Sequence, residues 1–87
     1  MSAEILIIDD NSDIREILND LIIEAGYSTR LAANYNQALS EIDKKLPDVA
    51  IIDVKLDKGD NDGIELLNHI KNKNSNIPVI IISGHAN

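Results

Sequence analysis

Short aliphatic runs alternate along this chain with segments whose apolar residues recur at helical spacing. Glu4 to Asp9 contains Ile5-Leu6-Ile7-Ile8, and Asp48 to Asp53 contains Val49-Ala50-Ile51-Ile52. Continuous apolar runs of this length, bounded by polar residues, predict strands buried on both faces of a parallel sheet. After the first run, Ile14, Ile17, Leu18, Leu21, Ile22 and Ala25 fall three and four apart, which is one stripe of a helix, and Gly26 supplies its stop. Ser28 to Leu31 or Ala32 alternates weakly and predicts a short, edge-like second strand. Asn34 and Gln37 have the spacing of a capping box. The helix they open would bury Ala38, Leu39, Ile42 and Leu46 and end at Pro47, because a proline disfavours helical geometry in the residue before it. Asp62 and Glu65 predict a second capping box, opening a helix that buries Leu66, Leu67 and Ile70. Ile77-Pro78 then introduces a fourth strand, Val79 to Ser83.

The order is βαβαβαβ, without an internal repeat. Strands alternating with helices predict an α/β fold: a parallel sheet with right-handed crossovers. With 87 residues the chain is expected to form one small domain, 1–87, of modest stability. Connections are short except for Val54 to Asn61, a polar stretch containing Gly59 directly after Asp53. A long loop at the carboxyl end of a strand is a candidate functional loop.

Composition narrows the function classes. Apolar residues make up 44% of the chain, almost all aliphatic, with no Phe or Trp, which suits a packed core and excludes a disordered tail. A formal net charge of −7 disfavours both a nucleic-acid surface and adsorption to an anionic membrane. Any DNA role would fall to another segment. Cysteine is absent, so there is no disulfide framework and no thiolate metal site. No basic leader precedes the first strand, and no apolar stretch approaches the ~20 residues that span a bilayer. The expected location is cytoplasmic.

Asp9, Asp10 and Asp53 stand where the first and third aliphatic runs stop. In an open α/β sheet, ligands bind at the carboxyl ends of strands, beside the point where strand order reverses. Three carboxylates gathered there repel one another by about 4 kcal/mol per pair at ~4 Å and an effective dielectric near 20. A hard divalent cation such as Mg2+, which prefers oxygen ligands, relieves that repulsion. Each aspartate alone could equally cap the following helix; the three together favour an acidic pocket. There is no phosphate-binding Gly-rich loop, no dinucleotide fingerprint and no serine nucleophile elbow. His69 reads as a partly exposed packing residue and His85 as a loop residue, and their separation does not suggest zinc.

Four blocks give the chain a family likeness. Ile7-Ile8-Asp9-Asp10 with Ile14-Arg15, Pro47-Asp48-Val49-Ala50-Ile51-Ile52-Asp53, Asp62-Gly63-Ile64-Glu65-Leu66-Leu67 and Pro78-Val79-Ile80-Ile81-Ile82-Ser83-Gly84 follow one another at characteristic spacing. In these the chain resembles the receiver domain of two-component response regulators over its whole length. The resemblance implies a flavodoxin-like fold of strand order 2-1-3-4 and phosphorylation of Asp53 by a sensor histidine kinase. It implies Mg2+ held by Asp10 directly, by Asp9 partly through water, by Asp53 and by the main-chain carbonyl of Lys55. Ser83 takes the place of the family's hydroxyl residue that hydrogen-bonds the phosphoryl group and shifts on switching. The Asp53-to-Gly63 segment and the residues from Ser83 to Asn87 look most like receivers of the nitrogen-regulatory NtrX type. Those receivers precede an ATPase and a DNA-binding domain, which implies control of transcription through an output domain. A haloacid-dehalogenase phosphatase also uses a strand-end aspartate, but it wants a second one where Lys55 stands.

The family also has a lysine at the end of a fifth strand, an aromatic switch residue on that strand, and fourth and fifth helices. None falls within these residues, and Lys55, Lys58, Lys71 and Lys73 do not sit in the lysine's motif. The expectation is therefore a receiver truncated before its fifth strand, incomplete at the C-terminus, whose phosphorylation alone would be slow or absent. Its fourth strand would be an open edge, which predicts a homodimer or swapped assembly. The competing reading is a phosphorylation-incompetent interaction module. A third is a divalent-cation-binding domain without covalent chemistry.

Overall fold

The structure, a computed structural model, describes residues 3–57, 59 and 61–82. In chain order the elements are β1 (Glu4–Ile8), α1 (Ser12–Glu24), β2 (Ser28–Ala32), α2 (Tyr35–Lys44), β3 (Val49–Asp53), α3 (Asp62–Lys73) and β4 (Val79–Ile82). The four strands form one sheet of order β2-β1-β3-β4, parallel throughout. The aliphatic density of β1 and β3 explains their central positions, since only central strands are covered on both faces. Leu6, Ile7, Ile8 and Ile52 are fully buried, as expected.

Handedness fixes the layers. A right-handed crossover from β1 to β2 places α1 on one face. The chain then reverses direction across the sheet, so α2 and α3 lie on the other face. The pleat sends alternate residues to opposite sides. Leu6 and Ile8, with Ala32, Ala50 and Ile52, meet Ala38 and Ile42 of α2 and Leu66 and Ile70 of α3 in one core cluster. Leu56 and Ile77, from the flanking loops, close its edges.

Caps set the element ends. Asn11 accepts hydrogen bonds from the N–H groups of Asp13 and Ile14, at 2.9 and 3.2 Å, and starts α1. Gly26, at φ +101°, ends it in the left-handed conformation that Gly adopts without strain. The Gly26 N–H then bonds the Ile23 carbonyl and the Tyr27 N–H the Ile22 carbonyl, the paired closure of a Schellman motif. Asn34 caps α2 as its spacing predicts, taking the Gln37 N–H at 2.8 Å, while the Gln37 side chain reaches one residue further back, to the Ala33 N–H.

Two expectations are corrected. Asp62 does not stand outside α3 as a cap: Asn61 occupies the cap position, and Asp62 is the first helical residue. Its buried carboxylate accepts the Gly59 N–H at 3.0 Å and so folds the preceding loop back onto the helix. The stripe of α1 is also less covered than its spacing suggests. Ile17 and Leu21 are 56% and 59% exposed, and Ile14 is exposed beside them, because α1 turns Arg15, Leu18, Asn19 and Ile22 toward the sheet. Among the described residues nothing packs over that flank. On β4, Ile80 and Ile81 are likewise exposed.

Candidate functional site

Parallel strands deliver their carboxyl ends to one edge, and strand order reverses between β1 and β3. Asp9 follows the last residue of β1 and Asp53 is the last residue of β3, so the two meet at that reversal. One carboxylate oxygen from each of Asp9, Asp10 and Asp53 lies within 4.8 Å of the others. Asp9 and Asp53 are each only 3% exposed, whereas Asp10 faces solvent. The pocket thus has a buried floor of two carboxylates and an open acidic lip.

Main-chain donors hold the floor in place. The Asn11 N–H donates to Asp9 Oδ1 at 2.9 Å, and the Lys55 N–H to Asp53 Oδ1 at 3.3 Å. Arg15, one turn into α1, donates from Nη1 to the Asp9 carbonyl at 2.7 Å and so fixes the β1–α1 turn. Burial raises the Asp9 pKa above the usual carboxylate range. The Asn11 N–H opposes that shift, the charges of Asp53 and Asp10 add to it, and Arg15 opposes it; the net is upward. A carboxyl group in this condition gains from any nearby cation.

The wall beyond Asp53 is built by close approach. Gly63 lies so near the end of β3 that a Cβ there would come within 2.6 Å of the Asp53 carbonyl oxygen and of Val54 Cα. Its N–H donates to the Val54 carbonyl at 3.0 Å, closing the loop at its base. Within the loop, Leu56 is buried in the core and Asp57 Oδ1 accepts the Tyr35 N–H of α2 at 2.9 Å.

The three aspartates singled out by the sequence are therefore brought together, and Lys55 stands beside them through its main chain. Ser83, Lys58 and His85 lie outside the described residues. His69 is remote from the pocket: its Nε2 lies 3.0 Å from Asp43 Oδ1, where Lys73 also pairs at 3.4 Å, linking α2 to α3. The parts that sequence reading missed are Arg15, Gly63 and Asp57. Gly63 was visible within a matched block, but its steric need was not. Asp57 and Tyr35 lie 22 residues apart, with no periodic signal to join them.

The model of the response regulator receiver domain matches residues 5–87. This chain belongs to that family. It is 39% identical over 87 residues to the nitrogen assimilation regulatory protein NtrX of Azorhizobium caulinodans, covering all of this chain and 19% of that protein. It is 41% identical over 86 residues to the sporulation initiation phosphotransferase F of Bacillus subtilis, covering 99% of this chain and 68% of that one. A crystal structure of a receiver domain protein from Methanospirillum hungatei superposes with a TM-score of 0.89 at 26% identity, over all of this chain and 68% of that one. The chain thus spans about a fifth of the NtrX protein it matches and two thirds of the smaller receivers. The receiver fold and the four-strand order expected from the sequence are the ones observed. No helix among the described residues is long and apolar enough to cross a membrane.

Proposed function

We propose that residues 1–87 act as a phosphoryl-accepting signalling segment, a single receiver domain in its N-terminal part, with Asp53 as the phosphoacceptor. The observation that carries this reading is the convergence of Asp9, Asp10 and Asp53 at the carboxyl ends of β1 and β3. Their donor chemistry fits Mg2+: hard oxygens only, on three strand-end carboxylates, with the ionised form of Asp9 disfavoured by burial first and then by the charges of the other two. Asp9, Asp10, Asp53 and the Lys55 carbonyl would hold the ion. When bound it would supply positive charge against the transferring oxygens.

The remaining work falls to the chain. Asp53 presents a carboxylate oxygen to the phosphorus of a phosphohistidine on a partner kinase. The new P–O bond forms as the P–N bond breaks, giving an acyl phosphate on Asp53 and an imidazole that takes up a proton. Asp53 is buried at the end of β3, and the Lys55 N–H holds its carboxylate in place there. Such transfer depends on positioning and charge neutralisation rather than on acid–base chemistry by the protein. The chain is thus a substrate of its kinase, with at most self-catalysed transfer and loss of the group. Ser83 would hydrogen-bond the phosphoryl oxygen and carry the change outward.

In the intact cytoplasmic protein the phosphorylated segment would bias an output domain that controls transcription. The net charge of −7 supports leaving nucleic-acid contact to that other domain. Self-association as a homodimer or swapped assembly belongs to the same proposal, and sedimentation velocity tests it. The central test is incubation with acetyl phosphate, with and without Mg2+. Intact mass should show one added phosphoryl group on the wild type only with Mg2+, and none on Asp53→Asn. Equal modification of both proteins would remove Asp53 from its role.

A further inference from the structure

The loop after Asp53 is fastened at three consecutive residues, each in a different way. The Lys55 N–H turns back to Asp53 Oδ1. Leu56 inserts into the core among residues of α2 and α3. Asp57 leaves the loop altogether and accepts, through Oδ1, the N–H of Tyr35 at 2.9 Å. Tyr35 is the first residue of α2, where main-chain N–H groups have no partner inside the helix. The neighbouring donors are served from within: Gln37 N–H by Asn34, and Ala33 N–H by Gln37. The Tyr35 N–H, by contrast, is met by a residue of the wall of the acidic pocket.

The first two fastenings fix where the loop lies. The third ties it to a helix that contributes no carboxylate to the pocket. A main chain pinned at residues 55, 56 and 57 has little freedom to rotate, and Lys55 is the residue whose carbonyl the cation reading requires. We propose that Asp57 is a positioning residue for the acidic pocket. Its bond to the Tyr35 N–H holds the segment after Asp53 against α2, so that cation binding and ordering of the first turn of α2 reinforce each other. This inference rests on the cation reading given above. Coupling of this kind is reciprocal: whatever the Asp57–Tyr35 bond adds to cation affinity, the bound cation adds to the bond.

The test is Mg2+ titration by calorimetry on four variants of the chain. Asp57→Ala removes the acceptor, whereas Asp57→Asn keeps an oxygen in the same place. Tyr35→Pro removes the donor without opposing the helix. Proline suits the first helical position, and Asn34, at φ −156° and ψ 175°, already has the extended geometry that a residue before proline adopts. Tyr35→Ala removes the ring but keeps the N–H. Asp57→Ala and Tyr35→Pro should weaken Mg2+ binding by about threefold to tenfold, the size of one lost capping bond if it is fully transmitted. Asp57→Asn and Tyr35→Ala should bind like the wild type. By NMR, amide exchange at residue 35 should slow when Mg2+ is added to the wild type and should not respond in Asp57→Ala.

A role confined to stability would lower the urea midpoint of Asp57→Ala and leave its Mg2+ affinity untouched; that result overturns the proposal. So does Tyr35→Pro binding as tightly as Tyr35→Ala, a comparison that stands even where Asp57→Ala fails to fold. A wild type that does not bind Mg2+ overturns this inference together with the cation reading, whereas wild-type binding unchanged in both Asp57→Ala and Tyr35→Pro overturns this inference alone.

Discussion

Replacing Asp53 with asparagine should make the metal-free chain more stable, although it removes the residue proposed to do the chemistry. One carboxylate oxygen from each of the three aspartates lies within 4.8 Å of the others, so two ionised groups at that limit repel by about 3.5 kcal/mol at an effective dielectric near 20 and about 0.9 kcal/mol in water. Asp9 and Asp53 are both buried and sit toward the first figure, while exposed Asp10 sits toward the second. Asparagine keeps an Oδ1 acceptor for the Lys55 N–H, so the hydrogen bond survives and the charge does not. The expected gain is about 1–3 kcal/mol at neutral pH in EDTA. With a urea slope of about 1–2 kcal/mol/M for a domain this small, the midpoint should rise by roughly 1 M. Saturating Mg2+ should then reverse or erase the difference: at a hundredfold excess over its Kd the cation stabilises the wild type by about 2.7 kcal/mol, and it should do less for a site with one carboxylate gone. The sign with pH follows from the raised Asp9 pKa. A carboxyl group raised in the fold is destabilising when ionised, fully so above its folded value. The penalty fades as pH falls through that value towards the ordinary 3.8, so the advantage of the variant should shrink in acid. Urea unfolding followed by far-ultraviolet circular dichroism measures all of this. A variant no more stable than the wild type in EDTA, at equal slope, would refute the reasoning.

Two further outcomes are expected. Gly63→Ala should cost about 1–3 kcal/mol, because its methyl would press within 2.6 Å of the Asp53 carbonyl oxygen, and moving that backbone should also weaken Mg2+ binding; urea midpoints and calorimetry report the two effects separately. At the opposite end of the sheet, the hydrogen bond from Arg30 holds the Glu41 carboxyl below its ordinary range, so the pair stabilises the fold above that range and the gain is lost as pH falls through the lowered folded value. Glu41→Gln should cost no more than about 1 kcal/mol at neutral pH, given partial exposure, and should flatten the acid limb of the stability profile.

What could be read in the chain depended on whether a signal was local or spatial. The aliphatic density of β1 and β3 announces central strands, and alternation with helices leaves few parallel topologies, so the placing of Asp9 and Asp53 at one edge followed from pattern alone. Spacing in α1 puts Ile14, Ile17, Leu18, Leu21, Ile22 and Ala25 on one stripe, but a period does not say what covers it: Leu18 and Ile22 are half-buried while Ile14, Ile17, Leu21 and Ala25 are exposed. Asp62 has the sequence appearance of a cap. The helix starts one residue earlier than that pattern implies, with Asn61 at the cap, and the Asp62 carboxylate accepts the Gly59 N–H instead. Arg15 reaches a carbonyl six residues back, and Asp57 a donor on another helix. Neither contact has a periodicity that a sequence could display.

The direction of the chain ties these details into one electrostatic arrangement. Each strand of a parallel βαβ sheet leads into a helix at its carboxyl end, so α1, α2 and α3 begin at the edge that carries the acidic pocket and end at the other. Their N-terminal partial charges, roughly +0.5 of an elementary charge each and short in range, offset part of the carboxylate charge. At the other edge the same rule leaves carbonyl oxygens in excess. There Arg30 donates to the Glu41 and Lys45 carbonyls at the end of α2 while pairing with Glu4 and Glu41. The amino-end edge thus carries its own permanent cation, while at the carboxyl-end edge the three clustered carboxylates have Arg15 beside them, its guanidinium bonded to the Asp9 carbonyl. Helix ends alone leave that group short of neutrality, and the proposed divalent ion would supply the missing charge. A phosphoryl group on Asp53, as proposed, would add negative charge to the same balance, so the proposed cation and the proposed acceptance of phosphate call for one site rather than two.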